Sequence, residues 1–243
     1  MPSPRRNYPV IIRYHKPAHG QAEKLNKTPR QNIPLLVTAG PTREAIDPVR
    51  YISNRSTGTM GYALAGEAAK RGFKVTLISG PVDIPCPGGV EKIDIITACQ
   101  LEEEIKKRLG KIKCLIMAAA VCDFKPEHES TRKIKKHDKI SMSFVKNPDI
   151  LKVIGKREGL LKVGFALETE ELLSNAGKKL REKTLDMIIA NEADSNNDPF
   201  GGGQKDFIII NKNGKKTKLR KVSKEKTAST ILDQIERMLD EAR

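Results

Sequence analysis

From residue 35 onward, short aliphatic runs alternate with segments of helical periodicity. The aliphatic runs are 35–39, 74–79, 113–119, 162–166 and 187–191. Short apolar runs bounded by turn residues are typical of buried strands, and strands that alternate with helices are typical of a parallel sheet with crossover connections. The pattern predicts an α/β fold with an open, mainly parallel sheet and helices on both faces.

Two of the intervening segments carry helix-end signals. Residues 59–72 are rich in alanine and end at a glycine, Gly72. Residues 97–110 begin at Thr97, a residue type that often caps helix N-termini, and end at Gly110. Both segments are predicted to be crossover helices.

The C-terminal region has a different pattern. Residues 205–222 predict two antiparallel strands joined at the turn 212–214, whose Asn-Gly pair is a strong hairpin signal. Residues 224–242 carry apolar residues on one face and predict an amphipathic helix that packs on the sheet. The parallel sheet is therefore expected to continue into an antiparallel hairpin.

The chain of 243 residues has the length of one α/β domain, which we assign to residues 35–243. Residues 1–34 contain several prolines and one acidic residue, and they predict a basic, mostly disordered leader. A targeting presequence is the alternative. The segment is poor in serine and not clearly amphipathic, which favours a solvated tail or a remnant linker.

The chain is strongly basic, with 45 Lys and Arg against 30 Asp and Glu, a net charge of +15. This charge suits either a nucleic-acid surface or a site for polyanionic small molecules. Aromatic residues make up only 4% of the chain and no RNA-binding aromatic motif is present, so we expect no nucleic-acid partner. No apolar run approaches the length of a membrane span, and the four cysteines have no metal-ligand spacing. We expect a soluble, cytoplasmic protein with reduced thiols and no membrane partner.

The loop 40–61 follows the first predicted strand and is much longer than the usual connection. It lies where open α/β sheets bind ligands, just before a helix whose free N–H groups favour an anion. Glycines allow close approach of the backbone to a ligand, arginine pairs with anions, and an asparagine amide can orient a carboxylate or an acyl-phosphate carbonyl. The candidate residues are Gly40, Arg50, Asn54, Ser56 and Gly58. The alternative is that Asn54 and Ser56 only cap turns.

The third predicted strand ends in small residues followed by an aspartate. Ala119 and Ala120 permit close approach of a ligand, and Asp123 can meet a ribose hydroxyl or a metal–phosphate complex, or else merely begin a turn. The lysine-rich segment that follows includes Lys133 and Lys139. Such a segment is usually a solvated face, but next to a cleft it can close over a triphosphate and exclude water.

Two more segments end strands or begin helices at the corresponding edge. Residues 146–151 predict a turn followed by a helix with Pro148 near its first turn. Phe165 lies near the end of a predicted strand, and Lys179 and Lys183, four residues apart, share a helix face. Each of these signals is weak alone.

Taken in order, these motifs resemble the phosphopantothenoylcysteine synthetase family, also called phosphopantothenate–cysteine ligase. The order is TAGPTREAIDPVRYISNRSTGTMG, AAAVCDF, KIKK, KNPDIL, VGFALET, and a lysine-bearing helix before MIIAN. The resemblance covers roughly residues 35–240. Bacterial members are commonly fused behind a flavin-dependent decarboxylase. Because the motifs of this sequence are those of the synthetase, we expect a stand-alone synthetase, or a separated half with residues 1–34 as remnant linker, and no flavin.

The resemblance implies a Rossmann-like fold and a two-step reaction. The carboxylate of 4′-phosphopantothenate attacks the α-phosphate of CTP or ATP, with Mg²⁺, to give an acyl-nucleotide and pyrophosphate, and the amine of cysteine then displaces the nucleotide. CTP is the usual substrate of bacterial members and ATP of eukaryotic ones. A homodimer is also implied, for which the C-terminal hairpin offers a sheet edge.

The resemblance also assigns roles by position. The implied catalytic residues are Asn54 and Lys133. The implied nucleotide-binding residues are Asp123, Lys133, Pro148, Asp149, Ile150, Leu151, Phe165, Lys179 and Lys183, and Asp123 also meets the metal. The implied substrate-binding residues are Gly40, Arg50, Asn54, Ser56, Gly58, Ala119 and Ala120. Cys122 departs from the family pattern, where alanine is more familiar, and residues 200–207 follow it loosely.

Two other functions compete with this one. A nicotinamide-dependent oxidoreductase has the same general fold, but the chain lacks G-x-G-x-x-G after its first strand and has Ser79-Gly80-Pro81 where an acidic residue is expected. The alternative of a non-enzymatic nucleic-acid-binding protein is supported by the net charge alone.

Overall fold

The structure, a computed structural model, describes residues 32–136, 139–192 and 203–242 and the backbone of Tyr14–His15. Its strands are β1 (Tyr14–His15), β2 (Pro34–Ala39), β3 (Arg43–Ala45), β4 (Tyr51–Ser53), β5 (Lys74–Ser79), β6 (Val90–Asp94), β7 (Cys114–Met117), β8 (Phe124–Pro126), β9 (Phe144–Lys146), β10 (Leu161–Glu168), β11 (Met187–Glu192), β12 (Lys205–Asn211) and β13 (Lys216–Val222). Its helices are α1 (Thr59–Lys70), α2 (Ala98–Lys106), α3 (Ile150–Ile154), α4 (Leu172–Glu182) and α5 (Lys224–Glu241). The leader predicted over residues 1–34 lies outside the described residues, apart from β1 and residues 32–34.

One large sheet forms the centre of the fold. Its described strands follow the order β1-β6-β5-β2-β7-β10-β11-β12-β13. The strands from β6 to β11 are parallel, and β1, β12 and β13 are antiparallel to their neighbours. The predicted mainly parallel sheet with an antiparallel C-terminal hairpin is confirmed.

Helices cover both faces of this sheet. Successive residues of a strand point to opposite faces, so Leu35 and Leu36 of β2 belong to different cores. Leu35 packs with Leu64 of α1 and Ile231 of α5, whereas Leu36 packs with Leu101 of α2 and with residues of α3 and α4. Because β2 is buried from both sides, its sequence is a continuous apolar run rather than an alternating one.

The predicted starts and ends of α1 and α2 agree with the structure at three of four points, and α1 begins at Thr59 as predicted. Thr97 caps α2 and accepts a hydrogen bond from Gln100 N at 3.2 Å, and Gly72 follows α1 with a φ of 88°. The predicted end of α2 at Gly110 is wrong, since the helix ends at Lys106. Arg108 N bonds to Ile105 O, three residues back, so the last turn tightens and the α-helix stops early.

Several short strands have no counterpart among the predictions. β6 joins the large sheet beside β5, and two small hairpins, β3–β4 and β8–β9, form outside it. Each strand of the small hairpins has three residues and lies within a connection that leaves the carboxyl end of a central strand. These hairpins give the two long loops a fixed shape beside the candidate site.

Candidate active site

The candidate residues collect at the carboxyl ends of three adjacent strands. β7 lies between β2 and β10 in the sheet, and all three run in the same direction. Gly40 follows β2, and Ala119 and Ala120 follow β7. Phe165 lies within β10, one residue beyond Gly164, which pairs with the last residue of β7. The structure therefore brings together the segments that the motif order singled out, at the edge where this class of sheet binds ligands.

The loops after β2 and β7 are joined by backbone hydrogen bonds. Ala120 N donates to Gly40 O at 2.9 Å, and Thr42 N donates to Ala120 O at 3.2 Å. Two residues beyond Ala120, Cys122 N donates to Thr42 Oγ1 at 2.9 Å, and the Cys122 side chain is buried. The two loops thus form a single floor for the site, and Cys122 packs beneath it.

Asn54 spans the same two loops. Its Nδ2 donates to Ala120 O at 3.3 Å and to Val121 O at 3.0 Å, across 66 and 67 residues of sequence. The residue is exposed, and its Oδ1 accepts no hydrogen bond from the described residues. Ser56 behaves differently, because its Oγ accepts from Gly58 N at 3.3 Å within one turn. Asn54 is therefore fixed through its amide nitrogen, which leaves the oxygen as the acceptor for a ligand.

The two candidate glycines touch each other. Gly58 precedes α1 with a φ of 76°, and a Cβ there would lie 3.3 Å from the Cα of Gly40 and 3.0 Å from a methyl of Val82. The start of α1 is in this way held against the end of β2. The free N–H groups of the first helical turn lie beside the floor of the site, a position that favours an anion.

Arg50 lies in the turn of the first small hairpin, residues 46–50, which we call the hairpin turn. Its guanidinium donates to Asp47 Oδ2 through Nε at 3.0 Å and to Ile134 O through Nη2 at 2.9 Å. Asp47 Oδ2 also accepts from Ile134 N at 3.1 Å. The Arg50 guanidinium and the backbone N–H donors hold the pKa of the buried Asp47 carboxyl well below its usual range, against the opposing effect of burial.

Ile134 belongs to residues 130–136, which we call the basic arm, in the connection between β8 and β9. Lys133 lies beside it, is exposed, and makes no hydrogen bond or ion pair within the described ranges. Sequence reasoning missed Asp47. An aspartate followed by an arginine three residues later in a proline-containing turn is a usable signal, because aspartate commonly bonds to backbone N–H groups two or three residues on.

Asp123 follows β7 and is exposed. Its backbone carbonyl accepts from Asn147 N at 2.8 Å, and Asn147 Nδ2 donates to Cys122 O at 2.9 Å. Asn147 Oδ1 is buried and has no partner among the described residues. Asn147 connects the end of β7 to the turn before α3, a role that its place ahead of Pro148 did not indicate.

The predicted nucleotide residues meet between α3, β10 and α4. Lys179 Nζ donates to Phe165 O at 2.8 Å, and burial lowers the pKa of Lys179 while the carboxylates of Glu168 and Asp123 oppose the shift. Lys183 forms an ion pair with Asp149, which also caps α3. Ile150 and Leu151 are buried in the core beneath, and Pro148 is half-buried. The two lysines are therefore anchored, whereas Lys133 is not.

The metal prediction concerns Asp123. The described residues contain no group of three or more His, Cys, Asp or Glu that could hold a metal ion. A single carboxylate fits Mg²⁺ that is bound mainly by phosphates and waters, which is the usual arrangement for this ion at nucleotides. No described helix is long and apolar enough to cross a membrane.

Comparison with known proteins gives consistent matches. Residues 30–239 match the family described as the DNA/pantothenate metabolism flavoprotein C-terminal domain. The coenzyme A biosynthesis bifunctional protein CoaBC of Haemophilus influenzae is 42% identical over 208 residues, 84% of this chain and 52% of that protein. The same-named protein of Borreliella burgdorferi is 43% identical over 207 residues, 83% of this chain and 52% of that protein. The chain thus spans about half the length of the curated relatives it matches.

The fold has a solved counterpart. A crystal structure of the C-terminal domain of a coenzyme A biosynthesis bifunctional protein CoaBC superposes with a TM-score of 0.74 and 34% identity. The match covers 88% of this chain and 97% of that one, so it extends over nearly the whole of the solved domain.

Proposed function

This chain belongs to the family of the DNA/pantothenate metabolism flavoprotein C-terminal domain, in agreement with the motif resemblance, and we propose that it joins 4′-phosphopantothenate to cysteine. It corresponds to the C-terminal half of bifunctional relatives in coenzyme A biosynthesis. The observation that carries the proposal is the bridge made by Asn54, which leaves an acceptor oxygen over the joined loops. Its two partners, Ala120 O and Val121 O, lie three and two residues before Asp123.

The proposed reaction has two steps. The substrate carboxylate attacks the α-phosphate of a nucleoside triphosphate, so an acyl–phosphate bond forms, the α–β phosphate bond breaks and pyrophosphate leaves. The amine of cysteine then attacks the acyl carbonyl, an amide bond forms, the nucleoside monophosphate leaves and the amine loses a proton. The first step needs two anions, the carboxylate and the triphosphate, held close together, and the second needs a neutral amine held against the acyl carbonyl. Both are largely tasks of positioning and charge neutralisation.

The residues of the site suit these tasks. Lys179 and Lys183 are held by Phe165 O and Asp149 at the nucleotide side, and Lys133 extends from the basic arm. Asn54 is proposed to position the acyl-nucleotide, with its free Oδ1 accepting a hydrogen bond from an N–H of the bound substrate or of the cysteine amine. The floor of the site and the turn before α1 that binds an anion are formed by Gly40, Ser56, Gly58, Ala119 and Ala120. Mg²⁺, when bound with the triphosphate at Asp123, would neutralise phosphate charge. Burial lowers the pKa of Lys179, and a bound phosphate would act in the opposite direction by favouring the charged form of its amine.

We propose CTP as the preferred nucleotide, because the matched relatives are bacterial and the resemblance implies CTP for bacterial members. The reaction is placed in the cytoplasm. A homodimer is proposed as well, since Val49, Tyr51, Phe124 and Phe144 are exposed apolar residues on the two small hairpins. Clustered exposed apolar side chains commonly mark an interface.

The test is pyrophosphate release with phosphopantothenate, cysteine and Mg²⁺ and each of CTP, ATP, GTP and UTP in turn. We expect release with CTP above ATP, and loss of release when the metal is chelated. A protein that releases no pyrophosphate with any of the four is not this ligase. NADPH fluorescence serves as the control for the oxidoreductase alternative, and we expect no quenching.

A further inference from the structure

The basic arm rests on the hairpin turn. Three hydrogen bonds join them: Ser130 N to Ile46 O at 2.9 Å, Ile134 N to Asp47 Oδ2 at 3.1 Å, and Arg50 Nη2 to Ile134 O at 2.9 Å. Two of the three meet at Ile134, which bonds through both its N–H and its carbonyl. The arm is therefore held at Ser130 and, through two bonds, at Ile134, which is the immediate neighbour of Lys133.

Asp47 controls both bonds at Ile134. Its side chain is fully buried, and besides Ile134 N its carboxylate accepts from Val49 N and Arg50 N, each at 2.9 Å, and from the Arg50 guanidinium. A carboxylate that accepts this many charge-assisted and backbone bonds is held in one orientation. Because the same carboxylate orients the Arg50 guanidinium, the bond from Arg50 to Ile134 O also depends on Asp47.

We propose that Asp47 is a positioning residue for the ligase reaction, which acts through Arg50 and the backbone of Ile134 to hold Lys133 at the nucleotide. The role of Lys133 rests on the proposed function, whereas the fastening of the arm stands on the geometry alone. Asp47 does not itself bind the substrate, since its carboxylate is buried, already accepts several donors and repels anions.

A direct contact between Arg50 and the substrate is the competing account. It predicts that Arg50→Lys raises the KM for phosphopantothenate and leaves the basic arm undisturbed. The fastening account predicts the reverse, because lysine keeps the charge but lacks the planar fork that reaches Asp47 and Ile134 together. Arg50→Lys thus separates the two accounts.

Hydrogen–deuterium exchange of the ligand-free protein tests the fastening without turnover. In Asp47→Ala the amides of the basic arm should exchange roughly tenfold faster or more, because the Ile134 N–H loses a charged acceptor. Asp206→Asn is the matched control. Asp206 Oδ1 also accepts a hydrogen bond from a backbone N–H, that of Lys221 at 2.8 Å, but it lies on the C-terminal hairpin β12–β13. If Asp47→Ala does not fold, Arg50→Lys supplies the same comparison. Unchanged exchange of the arm in a folded variant overturns the inference.

A double-mutant cycle tests the positioning. Asp47→Asn should lower kcat for pyrophosphate release about tenfold or more and change the KM for phosphopantothenate little. In a Lys133→Ala background the same substitution should have little further effect, because its consequence passes through Lys133. Additive losses overturn the positioning role. A wild type without turnover overturns the proposed function instead, and exchange alone then decides the fastening.

Discussion

At the scale of single residues, Asn54 gives the sharpest test of the chemistry. Asn54→Ala should keep a burst of pyrophosphate without cysteine but lose amide formation by on the order of a hundred- to a thousandfold, about 2.7–4 kcal/mol. The triphosphate is held by other segments, whereas the acyl-nucleotide loses the group that positions it for attack by cysteine. The measurement follows pyrophosphate in a single burst and then product after cysteine is added.

A second substitution of Asn54 and a control variant complete this test. Asn54→Asp should be as harmful as Asn54→Ala, because a negative charge would face an anionic intermediate. Asn213→Ala is the control, since Asn213 is exposed in the turn between β12 and β13, and it should leave both steps unchanged. If both steps of Asn54→Ala run near the wild-type rate, Asn54 serves only to join the two loops.

The Asp47 carboxyl should affect how the melting temperature depends on pH in acid. Its carboxyl pKa is depressed in the folded state, mainly by the hydrogen bond from Arg50. A depressed pKa stabilises the fold above the unfolded value, about 3.9 for aspartate, and this contribution is lost as the pH falls towards the folded pKa. Asp47→Asn should therefore lower the melting temperature at neutral pH and flatten its fall between about pH 5 and pH 3.

Melting curves of the wild type and Asp47→Asn over this range give the measurement, with Asp206→Asn as the control. Parallel curves for wild type and Asp47→Asn would show that the ionised carboxylate contributes nothing to stability. The same curves also report whether the variant is folded at the pH chosen for the turnover assays.

At the scale of elements, the hydrogen bonds of the basic arm should make the lysines of the connection between β8 and β9 unequal. Lys133 adjoins the fastened Ile134, whereas Lys139 is exposed and lies beyond it. Lys133→Ala should lower kcat by on the order of a hundredfold, as the loss of one positioned charged donor does, and Lys139→Ala should have little effect. Steady-state pyrophosphate release gives the comparison, and equal losses would mean that the arm acts only as a diffuse positive surface.

The elements predicted correctly from the sequence are those that carry a local signal in their own residues, such as an apolar run or a capping residue. β2, β5 and β11 are buried on both faces and therefore appear as apolar runs, and Thr97 marks its own helix start. β6 was missed because three of its five residues, VEKID, are charged and half-buried, so the segment is not an apolar run. The small hairpins were missed because three-residue strands in polar loops are defined by the partners they meet, not by a pattern.

The same distinction applies to the candidate site. Motif order located the loops, and the sheet register brings their ends together as expected. The contact of Asp47 with Ile134 joins residues 87 apart, and that of Asn147 with Cys122 joins residues 25 apart. No periodicity connects such pairs, so they appear only once the chain is folded.

At the scale of the whole molecule, the small hairpins predict the oligomeric state. Light scattering at micromolar concentration should give a mass twice the 27.0 kDa of one chain. Val49→Lys should shift the protein towards monomer, because Val49 is 59% exposed on the hairpin turn and a buried unpaired charge is costly. Leu173→Lys is the control, as Leu173 is 41% exposed on α4, a helix that packs on β10 and β11. A monomer in the wild type would remove the dimer proposal.

The edges of the sheet bear on how the protein behaves when concentrated. Among the described strands β1 and β13 are outermost, and an outermost strand offers unpaired backbone groups to any chain that can add to it. β13 presents Lys216, Lys218, Arg220 and Lys221, all exposed, so two copies brought edge to edge would set like charges against each other. The sheet edge is thereby a poor place for dimer pairing and an equally poor template for fibre growth, which should keep concentrated stocks free of ordered aggregates.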